Sequence, residues 1–276
     1  MVERIASPKA GWTQWRLPFV RKGGPARPRG LITAIDVEGD TLRVVQTHQR
    51  HGRIRVSRVA VEQLGLGDKA QQPEADVLGR AIAQALNRLR IKPGPVVMGL
   101  PRALVVLRTL SVPAIENLRE LASLVHFQIA KDLPFRLDDA VIDFKKRRPD
   151  ATADRSIEAA AGGKAASEAQ PKMDVLVAAA KREVVEFCQQ AAVAAGLKLL
   201  ALGFRPYANA RCIEACRVYE GHESVAFVSL RPDEVLVDVI AQQDLVFSRG
   251  VSTRLNPETA ATAYVTDSQM SDVNWG

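Results

Sequence analysis

The sequence predicts an α/β protein built twice on one plan, and three observations carry that expectation. Three runs rich in Val, Ile and Thr, Leu31–Val37, Thr41–Thr47 and Arg53–Val59, follow one another across short turn-like stretches, the pattern of an antiparallel meander. A second set, Ser224–Leu230, Glu234–Ala241 and Asp244–Gly250, repeats it near the other end. Between the two, helical and strand-like segments alternate, which stacks helices on sheets.

The first meander turns at Glu38-Gly39-Asp40 and at His48–Gly52. Pro73–Arg90 then sets Leu78, Ile82, Leu86 and Leu89 at helical spacing, an amphipathic helix lying on one sheet face. Pro95–Gly99 is a short buried strand and Leu104–Leu110 another, ending at Val112-Pro113. Ile115–Ala130 carries Ile115, Leu118, Ala122, Val125 and Ile129 on one helical stripe, stopped at Leu133-Pro134-Phe135 because proline cannot continue a helix. Val141–Lys146 and Met173–Ala179 are apolar strands flanking Arg147–Lys172, a stretch nearly free of large apolar residues. Such a segment cannot offset its own ordering entropy and reads as a mobile loop. Lys181–Ala195 is helical, Lys198–Phe204 is a strand, and Pro206–Tyr219 is a helix opened by proline in its first turn. Two meanders in corresponding positions point to the duplicated arrangement of actin-like and Hsp70-like nucleotide binders, which hold phosphates in their hairpin turns.

A chain of 276 residues, 47% hydrophobic, can bury roughly 70–75% of its unfolded surface, enough for one large or two modest domains. No apolar run reaches the ~18–20 residues of a bilayer-spanning helix, and the first residues lack the apolar core of a secretory signal, so a cytoplasmic location is expected. Cys188, Cys212 and Cys216 are too few and too unevenly placed for a disulfide framework. The net charge of +7 is concentrated in residues 1–30, which hold +6 and leave a nearly neutral body. A nucleic-acid binder needs its cations on a folded face, so no nucleic-acid partner is expected. The same segment carries Trp12, Trp15, Arg16, Phe19, Arg21 and Lys22, the aromatic and basic mixture of a membrane-surface or partner contact.

Several motifs now carry a family resemblance. Ala34-Ile35-Asp36-Val37 followed by Leu42-Arg43-Val44-Val45 resembles the opening strand pair of PilM, the actin-like family of type IV pilus assembly. Met98-Gly99-Leu100-Pro101, the strand end at Arg108–Pro113 and the helix running into Leu133-Pro134-Phe135 resemble that family's inserted subdomain. Val175–Ala180 with Lys181, Ala194-Ala195-Gly196-Leu197 and Phe247-Ser248-Arg249 extend the similarity over residues 30–255. The resemblance implies an actin-like, ribonuclease H-like duplicated fold related to the cell-division protein FtsA, with an FtsA/PilM-type inserted subdomain. It also implies ATP binding and a groove at that subdomain for the cytoplasmic tail of PilN, a single-pass inner-membrane protein. The cytoplasmic domain of the type II secretion protein GspL shares the architecture.

The first phosphate loop departs from the family's Asp-Ile-Gly, small hydroxyl residues and lysine. Here the loop is Asp36-Val37-Glu38-Gly39-Asp40-Thr41, with Arg43 at the lysine position. Glu38 and Asp40 place carboxylates where the ligand would be polyanionic, and each like-charge contact at ~4 Å opposes binding by roughly 4 kcal/mol before screening. A bridging Mg²⁺ would invert that sign. In the second loop Ser229-Leu230-Arg231 replaces Asp-Ile-Gly and Pro232-Asp233-Glu234 follows. No cofactor is therefore expected, ATP with magnesium being the disfavoured alternative, and no catalytic residue is assigned. After Val251 the rest of the second large domain is unrecognisable, the pattern of a truncated domain.

Other constellations have plainer readings. His48 and His51 straddle a turn with no third ligand nearby, so no metal is expected. Cys212 and Cys216, four apart on a helix, read as core cysteines. Arg50, Arg53, Arg55 and Arg58 read as charge protecting a sheet edge. No serine–histidine pairing or Walker loop supports a hydrolase or kinase.

The expected organisation is a basic aromatic tail at 1–30, a first actin-like subdomain at 31–112 and an inserted subdomain at 113–180 containing the loop 147–172. Residues 181–220 return to the first subdomain, and 221–276 begin a second domain. The expected function is a cytoplasmic scaffold, peripheral to the inner membrane, that docks a PilN-like tail and carries a degenerate nucleotide site. A GspL-like secretion domain and an active actin-like ATPase are the alternatives, and homo-oligomerisation is left open.

Overall fold

The computed structural model describes residues 30–50, 53–67, 73–147, 171–218, 224–230, 234–241 and 244–252. The aromatic N-terminal segment, most of the loop 147–172, His51, Arg231–Asp233 and the chain after Ser252 lie outside the described residues.

β1 (Gly30–Glu38), β2 (Thr41–Arg50) and β3 (Arg53–Gln63) form the expected meander. The second turn is shorter than the sequence predicts. His48 lies inside β2, since it has cross-strand partners on both sides, Leu31 and Arg55. β4 (Val96–Leu100) adds parallel to β1, and β8 (Leu199–Phe204) adds parallel to β4, giving a five-stranded sheet of order β3-β2-β1-β4-β8.

Helices α1 (Ala75–Arg88) and α3 (Arg182–Ala194) bury apolar stripes in one core with this sheet. Leu78, Ile82 and Leu86 of α1 meet Ile35, Leu42, Val44 and Val96 there, and each such side chain contributes about 1.5–3 kcal/mol by leaving water. The helices cross at Gly79, where a Cβ would lie 2.5 Å from the Ala194 Cβ. Arg58 does more than guard the edge strand β3, because its guanidinium donates to the Leu89 and Arg90 carbonyls and so closes the C-terminus of α1.

The inserted unit is β5 (Val105–Pro113), α2 (Leu118–Ile129), β6 (Ala140–Lys146) and β7 (Lys172–Lys181), with sheet order β5-β7-β6, so it begins before the expected residue 113, because β5 pairs with β7 and not with the five-stranded sheet. Asn117 accepts a hydrogen bond from the Arg119 amide and caps α2, which therefore starts three residues after the predicted Ile115. The unbroken apolar run of β7 has a geometric cause. Val175 and Val177 face the small core of Val112, Leu121, Val125 and Ile129, while Leu176, Ala178 and Ala180 face the main core. A strand shared by two cores has no solvent face to make polar.

α4 (Arg205–Ala215) follows β8 and leads to β9 (Ser224–Leu230), β10 (Glu234–Ala241) and β11 (Asp244–Ser252), a second antiparallel meander of order β11-β10-β9. α4 ends four residues before the predicted Tyr219, because Cys216 caps it and Arg217 turns left-handed at φ +55°. The core reading of Cys212 and Cys216 is corrected: both are exposed. The buried stripe of α4 is Pro206, Ala210 and Ile213, and both cysteines fall off it. Cys188 is buried, and desolvation pushes its thiol up to about 11, so it packs as an apolar side chain.

Candidate functional site

The β1–β2 turn gathers most of the residues read as a phosphate loop. Gly39 sits at φ +54° between Glu38 and Thr41, which pair across the two-residue turn, and a left-handed first position is what such hairpins require. Asp36 and Arg43 are paired cross-strand residues, with Arg43 Nη1 3.6 Å from Asp36 Oδ2 and 2.7 Å from Glu38 Oε2. Asp40 turns away from them. Its Oδ1 accepts the Leu66 amide at 2.6 Å and its carbonyl accepts the Leu64 amide, so it anchors the chain leaving β3. Thr41 accepts from the Gln63 amide side chain.

The residue missing from the sequence reading is Arg205. From the start of α4 its Nε lies 2.7 Å from Asp36 Oδ1, and its Nη2 donates to the Val37 carbonyl at 3.3 Å. The contact spans 168 positions, so no local spacing announces it. Gly99 makes room for it, since a Cβ there would lie 2.8 Å from Asp36 Oδ1 and 3.5 Å from Arg205 Cγ. Two carboxylates, Asp36 and Glu38, thus share two guanidinium groups at this turn, and both cations already face carboxylates. Replacing Arg205 by Ala is expected to cost about 2 kcal/mol, the scale of a largely buried charge-assisted pair. Urea unfolding measures it, and a loss below about 0.5 kcal/mol would mean that the pair is idle.

A second cluster ties the second meander to the rest. Asp238 on β10 is fully buried and accepts from Asn209 Nδ2 at 2.9 Å and Ser248 Oγ at 2.7 Å. Arg102, in the 3-10 turn before β5, donates Nε and Nη2 to the Ser248 carbonyl, each at 3.2 Å. Burial pushes the Asp238 carboxyl above its ordinary value, and the two hydrogen bonds with the Arg102 charge offset part of that rise. Lys145 of β6 pairs with Asp244 of β11, its Nζ 5.2 Å from the Tyr207 ring centroid on α4. Ser248 belongs to the Phe247-Ser248-Arg249 motif, whereas nothing in the sequence pattern marks Asp238, Asn209 or Arg102.

The third feature is a cleft of about 280 Å³ lined by Phe135 and Asp139 of the inserted unit and by Lys181, Arg182, Glu183 and Glu186 at the start of α3. Arg182 Nη2 donates to the Asp138 carbonyl at 3.1 Å and holds the two walls together. The aromatic and basic residues Trp12, Trp15, Arg16, Phe19, Arg21 and Lys22 lie outside the described residues. Among the described residues no group of three His, Cys, Asp or Glu side chains converges on a metal position, and no helix is long and apolar enough to cross a membrane.

A mixed five-stranded sheet of order β3-β2-β1-β4-β8, an inserted unit after β4 and a second meander define an actin-like protein of the subclass with a replaced subdomain. Residues 34–253 match the family model described as type IV pilus assembly protein PilM. The chain belongs to the PilM family. The solved PilM-PilN type IV pilus biogenesis complex superposes with a TM-score of 0.65 at 21% identity, covering 82% of this chain and 62% of that one. This chain therefore spans less than two thirds of the length of that relative. The cytoplasmic domain of EpsL, an inner membrane component of the type II secretion system of Vibrio cholerae, has a TM-score of 0.46 at 12% identity, covering 87% of this chain and 77% of that one. A Bacteroides thetaiotaomicron protein with an actin-like ATPase fold has a TM-score of 0.43 at 8% identity, covering 91% of this chain and 77% of that one. No curated protein matches the chain.

Proposed function

We propose that this chain is a scaffold of a type IV pilus assembly machine, working at the cytoplasmic face of the inner membrane and docking the short cytoplasmic tail of a PilN-like membrane protein. The observation that carries this reading is the cleft between the inserted unit and α3, in a chain of the PilM family. A structural neighbour described as a PilM-PilN complex supports it. Family membership favours pilus assembly over the related secretion role. The basic aromatic segment with Trp12, Trp15, Arg16, Phe19, Arg21 and Lys22 would add a peripheral membrane contact.

The scaffold works without nucleotide. The residues at the β1–β2 turn do not fit ATP with magnesium: Glu38 stands where backbone amides would approach a phosphate, and Arg43 and Arg205 already face carboxylates. A polyphosphate entering there would have to break charge-assisted pairs and then meet Asp36 and Glu38 at close range. No catalytic step is assigned to this chain.

The docking reading is tested by fluorescence anisotropy with a labelled peptide carrying the cytoplasmic tail of the PilN-like protein from the same organism. The full chain is expected to bind it, and Phe135→Ala to weaken binding by about tenfold, the scale of losing an aromatic anchor. Absence of binding to the unaltered chain would overturn the proposal.

A further inference from the structure

Building on the docking reading, we propose that Asp139 and Glu186 are the specificity residues of the cleft and that they pair with a lysine or arginine of the partner's tail, seated beside Phe135. The cleft has room for one or two side chains rather than a folded domain. Of its own cations, Lys181 pairs with Glu183 at 3.1 Å, and Arg182 donates to the Asp138 carbonyl, a neutral acceptor that leaves its charge in place. Asp139 and Glu186 have no ion-pair partner among the described residues, and they face the cleft from its two walls.

The helix dipole does not account for Glu186, although Arg182 stands four residues before it on the same helix face. An acidic residue gains from the helix dipole only in the first turn, which Glu183 occupies, and Glu186 lies beyond it. Glu186 is also half-buried, so a charge beside it is screened less than on open surface. With Lys181 set against Glu183, the charges left in the cleft are Asp139, Glu186 and Arg182, an excess of one negative that disfavours an anionic headgroup or a free phosphate and favours a cation. A cytoplasmic segment leading into a membrane span carries an excess of lysine and arginine close to the bilayer. That charge bias, an apolar seat at Phe135 and a narrow cleft fit an extended basic-apolar peptide.

The test uses the full chain and the labelled tail peptide at low and at elevated salt. Asp139→Lys and Glu186→Lys are each expected to weaken binding about five- to tenfold, and Glu186→Gln less, with the weakest binding in the double reversal. Raising the salt should weaken binding to the unaltered chain and strengthen binding to the double reversal, where it screens a repulsion instead of an attraction. A peptide with its basic residues replaced by glutamate should lose affinity for the unaltered chain and regain it with the double reversal. If the peptide binds but neither reversal nor salt changes its affinity, the assignment of Asp139 and Glu186 is overturned while docking stands. If the peptide does not bind the unaltered chain, both fall.

Discussion

Gly79→Val is expected to destabilise the fold by about 3 kcal/mol, which for a chain of this size lowers Tm by about 8 °C. At Gly79 a side chain would enter the crossing of α1 and α3, overlapping the Ala191 carbonyl and lying 2.5 Å from the Ala194 Cβ and 3.0 Å from the Ala195 nitrogen. Two of these three atoms are backbone, so a rotamer change cannot relieve the overlap. The helices must separate, and separation opens gaps beside Leu78 and Ile82, both buried in the main core. Gly79→Ala gives the sharper sign test. Helix propensity alone favours alanine by about 1 kcal/mol, whereas the packing predicts a net loss in chemical denaturation. A stabilised alanine variant would mean that the helices do not cross this closely.

Asp238→Ala is the second large effect, about 3 kcal/mol, because it strands the Asn209 amide and the Ser248 hydroxyl around a cavity and removes a countercharge from Arg102. The pH dependence has a definite sign. The folded-state pKa lies above the ordinary 3.8, so the native chain holds more protons than the unfolded one between the two values. Stability attributable to this group is therefore full below the ordinary value and falls as pH rises through the raised one. Asp238→Asn removes the ionisation and should flatten that segment of a stability-against-pH curve measured by denaturant unfolding. An unchanged slope would place the titration elsewhere.

Strand and helix positions were legible because their periodicities follow directly from what each face buries. β2 and β10 alternate between buried and more exposed positions, and α1 carries its apolar residues at helical spacing, whereas the apolar residues of the edge strand β3, Ile54, Val56, Val59 and Val61, are exposed. The ends of elements depended on particular contacts instead. Asn117 sets the start of α2 through one side-chain hydrogen bond, and the left-handed Arg217 closes α4 early. Cys212 and Cys216 were misread because a short helix with little apolar contrast does not declare its buried stripe. At the candidate site, Glu38 and Asp40 stood out in the sequence as the two carboxylates of the turn, but only Glu38 faces Arg43 there, while Asp40 turns away to the Leu66 amide. Arg205 and the Asp238 network were hidden, since their contacts join residues brought together only by the sheet order. The cleft likewise joins Phe135 to Glu186 across the inserted unit.

The central claim is docking of a membrane protein's tail by an actin-like fold that does so without nucleotide. Its most direct test is a calorimetric titration of the full chain with the tail peptide of the PilN-like protein, in the absence and presence of Mg-ATP, with Mg-ATP also titrated alone. The account predicts peptide binding with the same affinity in both conditions and no heat from Mg-ATP. Micromolar ATP binding, or peptide binding that appears only with ATP, would contradict it and make the Asp36–Arg205 pair a gate opened by the nucleotide.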